Sequence, residues 1–222
     1  MKKVLLLSCA FTLLFARISN AQSCPGDITI LEDENLSVWE VKTNGTQVFS
    51  LAEFQGSVNI GGVDYFQDDF GFDARGLILM AHDLSGTLLW SRQITGTSFF
   101  TTNPALTATT ANVFVAATAI ESNGTIHELK VESFSGIDGT PAWSNSYQVP
   151  VASSNLPFGA QINPYSAVED GNGRVVVSGA FSGTMDIDGT ILTTGAGLSE
   201  TFVMAVDGVT GNEIWAVQST GS

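Results

Sequence analysis

Three of the four tryptophans in this 222-residue chain stand four residues after a glycine. The stretches read SGTLLWSRQ (85–93), DGTPAWSNS (138–146) and TGNEIWAVQ (210–218). Glycine tolerates the positive φ angle of a tight turn, so each stretch predicts a hairpin whose returning strand carries the tryptophan. The fourth tryptophan has an asparagine at the same distance, the next most tolerant residue type. The predicted repeat positions are Gly86, Gly139, Gly211, Trp39, Trp90, Trp143 and Trp215.

A second pair of matching stretches supports the repeat. The stretches FQGSVNIGG (54–62) and FSGTMDIDG (181–189) align without a gap and match Phe54 with Phe181. Short runs of β-type residues precede these stretches and the glycine turns, whereas no helical periodicity is visible. We therefore divide residues 28–222 into repeats at 28–43, 44–97, 107–149 and 166–221. The first repeat is partial, because Ile28–Lys42 supplies only a final hairpin.

The repeat predicts an all-β fold. A four-stranded unit of about 50 residues that recurs along a chain is typical of a β-propeller, whose sheets pack face to face around an axis. Tryptophans would fill the space between blades, where each removes about 150–250 Å² from water. The pattern gives about three and a half blades, and closed propellers have about 4–8. We therefore expect a partial propeller or a fragment of a longer one.

The last repeat carries a family resemblance. Residues 170–221 resemble one unit of the bacterial secreted β-propeller repeat, often called the SBBP type, which implies an exported propeller, often at the cell surface or envelope, with no shared catalytic residues. The segment AVDGVTGNEIW (205–215) is more weakly similar to quinoprotein-like propeller repeats. The residues that match the secreted repeat are Asp170, Gly173, Gly179, Phe181, Gly183, Phe202, Asp207, Gly211 and Trp215.

The first 21 residues have the pattern of a secretory signal peptide. A basic MKK start precedes an apolar run from Val4 to Ala16, and small residues precede a cleavage site before Gln22. Residues 22–27 would then be the N-terminal segment of an exported protein, secreted or held at the cell envelope or surface. Cleavage would leave Cys24 as a free thiol, a lipidation site or the partner of a cysteine elsewhere.

The chain is strongly acidic, with a formal net charge of −14. Removal of residues 1–21 would take away three of the eight basic residues and no acidic one. Such a chain repels phosphate backbones and anionic lipid heads, which argues against nucleic-acid partners and membrane surfaces. No apolar run after residue 21 is long enough for an integral membrane segment.

Carboxylate clusters make calcium the one cofactor to consider. The cluster DDFGFD offers Asp68, Asp69 and Asp73 as weak candidate ligands, and DIDG offers Asp186 and Asp188 more weakly still. Neither cluster matches the twelve-residue calcium loop, and Asp-Gly is also an ordinary turn signal. No other metal or cofactor is predicted.

No catalytic set of nucleophile and base is visible. The histidines, His82 and His127, both lie on strand-like segments, where a structural role is the expectation. We therefore predict a non-catalytic binding or cell-surface scaffold module with a protein or polysaccharide partner. Its working face would include the long segments 63–75 and 144–170. The alternative is a propeller enzyme of quinoprotein or glycan-hydrolase type.

Overall fold

The computed structural model describes residues 4–7, 28–31, 36–67, 75–99, 104–120, 126–150, 162–195 and 197–219. These residues form 18 strands, and none of them belongs to a helix that is long and apolar enough to cross a membrane. The predicted all-β class is confirmed. Among the strands of the described residues, β1 (Val4–Leu7) and β2 (Ile28–Leu31) pair only with each other. Cleavage at the predicted signal-peptide site would remove β1 and leave β2 without this partner.

Twelve of the remaining sixteen strands form three antiparallel four-stranded units, which we call units 1, 2 and 3. Unit 1 contains β3 (Leu36–Thr43), β4 (Gln47–Phe54), β7 (Arg75–Asp83) and β8 (Leu88–Phe99). Unit 2 contains β9 (Ala105–Ala108), β10 (Asn112–Ile120), β11 (Ile126–Ser135) and β12 (Pro141–Pro150). Unit 3 contains β13 (Ile162–Glu169), β14 (Arg174–Phe181), β17 (Glu200–Asp207) and β18 (Glu213–Gln218).

Units 1 and 3 each carry an inserted hairpin between their second and third strands. The hairpin of unit 1 pairs β5 (Ser57–Ile60) with β6 (Val63–Phe66), and that of unit 3 pairs β15 (Thr184–Ile187) with β16 (Thr190–Thr193). Both follow the Phe-x-Gly element, which places Phe54 and Phe181 at the same point of their units. Both phenylalanines are buried against the hairpin that follows them.

The units stack through their sheet faces, and the core lies between them. Strand β10 illustrates this packing. Its apolar residues point alternately to its two faces, and both faces are buried. Val113 and Val115 belong to the core between units 1 and 2, whereas Phe114 and Ala116 belong to the core between units 2 and 3. One backbone pair, Ser98 with Ile120, joins β8 of unit 1 to β10 of unit 2.

The strand pairing corrects the predicted first repeat. Strand β2 pairs with β1 and not with β3, and β3 is the first strand of unit 1, where it pairs with β4. Residues 28–43 are therefore not the final hairpin of a preceding unit. The turn between β3 and β4 explains the pairing, because Gly45 has a φ of 90° and the side chain of Asn44 accepts a hydrogen bond from the backbone of Gln47. Asn-Gly is the strongest short-range hairpin signal in a sequence.

Candidate functional site

The junction between units 1 and 2 is built around Trp90. Its indole Nε1 donates a hydrogen bond of 3.1 Å to the carbonyl oxygen of Gly136, which lies in the β11–β12 turn. The ring covers Gly139, where an added Cβ would come within 2.6 Å of a ring atom. The ring of Phe49 lies beside the indole, with 6.1 Å between centroids. A glycine is therefore required under the ring because no side chain fits there.

The junction between units 2 and 3 repeats the same contacts with Trp143. Its Nε1 donates to the carbonyl oxygen of Gly208 at 3.1 Å, and its ring covers Gly211, where a Cβ would lie 2.7 Å away. Phe114 lies beside this indole, again with 6.1 Å between centroids. The two junctions therefore use the same set of groups in the same arrangement.

Cross-strand register explains why the arrangement recurs. Each unit aligns one residue from each of its last three strands, and a β-bulge next to the tryptophan offsets the register. Because the offset is the same, the indole projects from the same sheet face in each unit. The aligned triplets are Phe49–Ala81–Trp90, Phe114–Ser133–Trp143 and Val176–Ala205–Trp215.

Trp215 occupies this position in unit 3 but does not dock onto a turn in the described part of the chain. Its side chain is 37% exposed. Its indole N–H, unlike those of Trp90 and Trp143, makes no hydrogen bond to another residue in the described part of the chain. Val217 lies on the same sheet face and is 54% exposed. Val176 stands where units 1 and 2 have phenylalanine. We call the surface formed by Val176, Trp215 and Val217 the open face of unit 3.

Trp39 does not share the position of the other three tryptophans, so the predicted equivalence is wrong. It lies on β3, in a bulge between Val38 and Glu40, and its side chain is 39% exposed. The spacing of Trp39 from Asn35 resembles the repeat, but β3 begins unit 1 and does not end a hairpin.

The turn of unit 1 also differs from the other two. In units 2 and 3, the turn glycine that lies beneath the tryptophan of the preceding unit donates its N–H to a carbonyl four residues earlier. Gly139 donates to Ser135, and Gly211 donates to Asp207. In unit 1, Gly86 donates to Asp83, only three residues earlier. The turn is one residue shorter, and it lacks a counterpart of Gly136 and Gly208, whose carbonyls accept the indole hydrogen bonds.

A glutamine holds each inserted hairpin against the last strand of its unit. The Nε2 atom of Gln93 donates to the carbonyl of Phe66 at 3.0 Å, and that of Gln218 donates to the carbonyl of Thr193 at 2.9 Å. Both glutamines stand three residues after the tryptophan of their strand, in a Trp-x-x-Gln pattern. Unit 2 has Ser146 at this position.

Unit 2 has polar residues at the positions where units 1 and 3 have apolar residues beneath the inserted hairpin. Units 1 and 3 place Ile78 and Met80, or Phe202 and Met204, beneath the hairpin, whereas the register puts Lys130 and Glu132 at these positions in unit 2. We call this group the unit 2 polar patch; its members are Glu128, Lys130, Glu132, Ser144, Ser146 and Gln148.

Hydrogen bonds order the patch. Glu128 is buried and accepts bonds from the side chains of Ser146 at 2.7 Å and Gln148 at 2.9 Å. Ser144 donates to Glu132 at 2.9 Å. Burial raises the pKa of Glu132 above its usual value, and the bond from Ser144 and the charge of Lys130 oppose this only in part. The exposed hydroxyl and amide groups of β12 give the patch both donors and acceptors.

The turn aspartates act on the backbone. Asp83 accepts bonds from the N–H groups of Ser85 and Thr87, and Asp207 accepts them from those of Val209 and Thr210. Bonds to the ionised form lower a carboxyl pKa, and the pKa values of both residues lie below their usual value. The two aspartates therefore cap the backbone of their turns.

The described residues contain no group of three or more potential metal ligands. Asp186 accepts a bond of 2.7 Å from the backbone N–H of Gly189, and Asp188 has a φ of 49°, so both serve the turn of the β15–β16 hairpin. Asp68, Asp69, Asp73 and Cys24 lie outside the described residues, as do 68–74 and 151–161 of the predicted working face.

The two histidines lie in different units. His82 is on β7, and burial lowers its pKa although the neighbouring Asp83 raises it in part. His127 is on β11, and burial lowers its pKa as well. The structure does not bring the two imidazoles to one site. His82 lies next to the β7–β8 turn, whereas His127 lies at the start of β11, the end away from the β11–β12 turn.

The sequence was compared with protein-family models and with curated proteins. No protein-family model matches the chain, and no curated protein matches it. The resemblance to secreted propeller repeats therefore stays a prediction that rests on the motifs of residues 170–221.

Proposed function

We propose that this chain is an exported, non-catalytic β-propeller, or part of one, that acts as a binding or cell-surface scaffold module. The observation that carries the proposal is the repeated junction: Trp90 and Trp143 dock in the same way onto the turn of the following unit. A chain that builds its core from one repeated sheet-to-sheet contact is a stack of modules. Such stacks usually act through the surfaces that they present.

The order of the first strands supports the propeller arrangement. Strand β9 lies between β3 and β13, so the first strands of successive units are neighbours. Glu40 of β3 accepts a bond of 2.6 Å from the backbone N–H of Leu106 in β9. Thr118 of β10 donates a bond of 2.6 Å to the carbonyl of Ile162 in β13. Radially packed sheets with adjacent first strands are the arrangement of a propeller.

Charge and surface chemistry support a neutral or basic partner. The net charge of −14 repels polyanions, whereas the unit 2 polar patch offers hydroxyl, amide and carboxylate groups that bind hydroxyl-rich ligands well. A neutral polysaccharide or a protein surface fits these properties.

Two assays on the full chain test this function. A glycan array and a pull-down from cell envelopes should retain the wild-type protein, and a Ser146→Ala, Gln148→Ala variant should show weaker retention if the polar patch contributes. Reconstitution with pyrroloquinoline quinone, followed by a dehydrogenase assay, tests the enzymatic alternative. Turnover in that assay, or retention on no surface tested, would contradict the proposal.

A further inference from the structure

We propose that a cleft between units 1 and 2 binds a segment of a neutral polysaccharide through the hydroxyl groups of its sugars. We call it the unit 1–2 cleft; one wall is formed by Arg92 of β8 and the other by the unit 2 polar patch. The inference rests on the proposed function and deepens it, because it names the surface that binds and the class of ligand.

The cleft exists because unit 2 has no inserted hairpin. In unit 3, residues 182–199 join the second strand to the third, and they form a hairpin whose β15 lies against β12 of unit 2. Met185 and Ile187 of β15 pack in the same core as Tyr147 of β12. In unit 2, only residues 121–125 join β10 to β11, which is too short for a hairpin of two four-residue strands. The junction between units 1 and 2 therefore lacks the segment that fills the junction between units 2 and 3.

Strand alternation makes the two walls face each other. On β8, Arg92 pairs with Leu79 and lies two residues before Ile94, and both of these apolar residues belong to the core between units 1 and 2. On β11, Val131 belongs to the core between units 2 and 3, so the adjacent Glu132 projects from the opposite face, towards unit 1. Arg92 and Glu132 therefore project into the same space between the units.

Contacts between the units mark the two ends of the cleft. At one end Trp90 docks onto Gly136 in the β11–β12 turn, and at the other Ser98 of β8 pairs with Ile120 of β10. Arg92 lies between Trp90 and Ser98 on β8. At about 3.3 Å per residue, the strand from Trp90 to Ser98 spans about 26 Å. This length accommodates a short oligosaccharide.

Each wall carries a buried polar atom that no described residue satisfies. These atoms are Nε of Arg92 and Oε2 of Glu132. The other carboxylate oxygen of Glu132 accepts a bond from Ser144, which fixes the orientation of the group. A guanidinium only donates and a carboxylate only accepts, whereas a hydroxyl does both, so the hydroxyls of one sugar chain can pair with both walls. Both side chains are only partly buried, so a change of rotamer brings these atoms to the cleft surface.

The charges of the cleft favour a neutral ligand. The two cationic side chains are Arg92 and Lys130, and the two carboxylates are Glu128 and Glu132, so the formal charges balance. The net charge of −14 repels an anionic polysaccharide, and a cationic one finds no excess of carboxylate in the cleft. Ser146 is exposed on β12, so hydroxyl groups are accessible from the outer side.

Isothermal titration calorimetry of the full chain tests the inference. The neutral probes are cellotetraose, maltotetraose, xylotetraose and mannotetraose, and tetragalacturonate and a chitosan tetramer are the charged ones. The wild type should bind at least one neutral probe more tightly than either charged probe. Arg92→Met should weaken that binding at least about 10-fold, the effect of losing a hydrogen bond to a charged group. Arg174→Met is the matched control, because Arg174 lies in unit 3 and pairs with Asp170.

A blocking variant tests the position of the site. Ser146→Trp places a large side chain in the cleft from an exposed position on β12, so it should abolish binding without unfolding the protein. Thr201→Trp, at an exposed position on β17 of unit 3, is the matched control and should bind as the wild type does. Circular dichroism and thermal unfolding establish that each variant is folded.

NMR of the wild type gives a readout that does not depend on any variant. The Nε–H signal of Arg92 should shift and exchange more slowly with solvent when the neutral probe that binds is added. An unchanged Arg92 signal at saturation overturns the inference. Binding of no neutral probe at millimolar concentrations overturns it as well, as does binding that survives both Arg92→Met and Ser146→Trp.

The outcomes also separate this inference from the proposed function. Retention on glycans or envelopes that survives Ser146→Trp overturns the cleft as the binding site and leaves the proposed function standing. Capture of a protein that depends on Arg92, with no oligosaccharide bound, overturns the class of ligand alone. Retention on no surface contradicts the proposed function itself.

Discussion

The indole Nε1 of Trp143 donates a hydrogen bond of 3.1 Å to the carbonyl of Gly208, a residue that lies 65 positions later in the chain. Trp90 and Gly136 form the same contact one unit earlier. Each contact joins the last strand of one unit to the last hairpin of the next, and together they define how the units stack.

Removal of a docked indole should destabilise the protein far more than removal of the exposed one. We expect Trp143→Ala to lower the free energy of unfolding by about 3–5 kcal/mol, because it empties a junction that also buries Phe114. Trp215→Ala should cost about 1 kcal/mol or less, because its side chain is exposed. Urea unfolding followed by circular dichroism measures both, and equal losses would contradict the docking arrangement.

The glycine beneath the indole is needed for space as well as for its φ angle. Gly139→Ala should cost about 1–3 kcal/mol more than Gly45→Ala, because the indole must move. Gly45 is the matched control, since its φ is also positive but nothing lies within 4 Å of an added Cβ. Both costs come from thermal unfolding, and identical values would show that the ring does not pack on this glycine.

The glutamine after the tryptophan should control the stability of the inserted hairpin. Gln218 makes two bonds to the backbone of Thr193, at 2.7 and 2.9 Å, whereas Gln93 makes one to Phe66. We expect Gln218→Met to cost about 1–3 kcal/mol and Gln93→Met about half of that. Hydrogen exchange of β15 and β16 should rise in the first variant only. Unchanged exchange there would contradict the role of Gln218.

The stability of the protein should depend on pH through the protonation of the Glu132 carboxyl. Because burial raises its pKa in the folded state, the fold favours the protonated form. This group therefore contributes most to stability below its unfolded-state pKa, and the contribution is lost as pH rises through the folded-state pKa. Each unit by which the folded pKa exceeds the unfolded one corresponds to about 1.4 kcal/mol.

Glu132→Gln removes this titration while keeping the shape of the side chain. The variant should be more stable than the wild type at pH 7, and the difference should shrink towards pH 4. Glu200→Gln, on β17 of unit 3, is a control at a carboxyl outside the patch. A pH-independent difference between Glu132→Gln and the wild type would contradict the assignment.

The sequence predicts the parts of this fold that depend on local chemistry. Glycine turns, β-type strands and the Phe-x-Gly element are properties of short stretches, so Gly139, Gly211, Phe54 and Phe181 lie where their patterns indicate. The Trp-x-x-Gln pattern is equally visible in the sequence and is the signal that identifies Gln93 and Gln218.

Other features depend on which strands pair, and spacing alone does not determine this. Trp39 repeats the distance from a turn-forming residue, yet the Asn44-Gly45 turn pairs its strand with β4. The polar patch arises because Lys130 and Glu132 occupy positions that are apolar in the other units, and this comparison requires the cross-strand register. The missing turn residue in unit 1 is a single deletion, whose meaning depends on the hydrogen bonds of the other two turns.

Hydrogen exchange of the four indole N–H groups, measured by NMR on protein with ¹⁵N-labelled tryptophan, tests the central claim most directly. The docked indoles of Trp90 and Trp143 should exchange slowly, whereas those of Trp39 and Trp215 should exchange rapidly. Rapid exchange at Trp90 and Trp143, at the rate of the two exposed indoles, would contradict a stack held together by tryptophan docking.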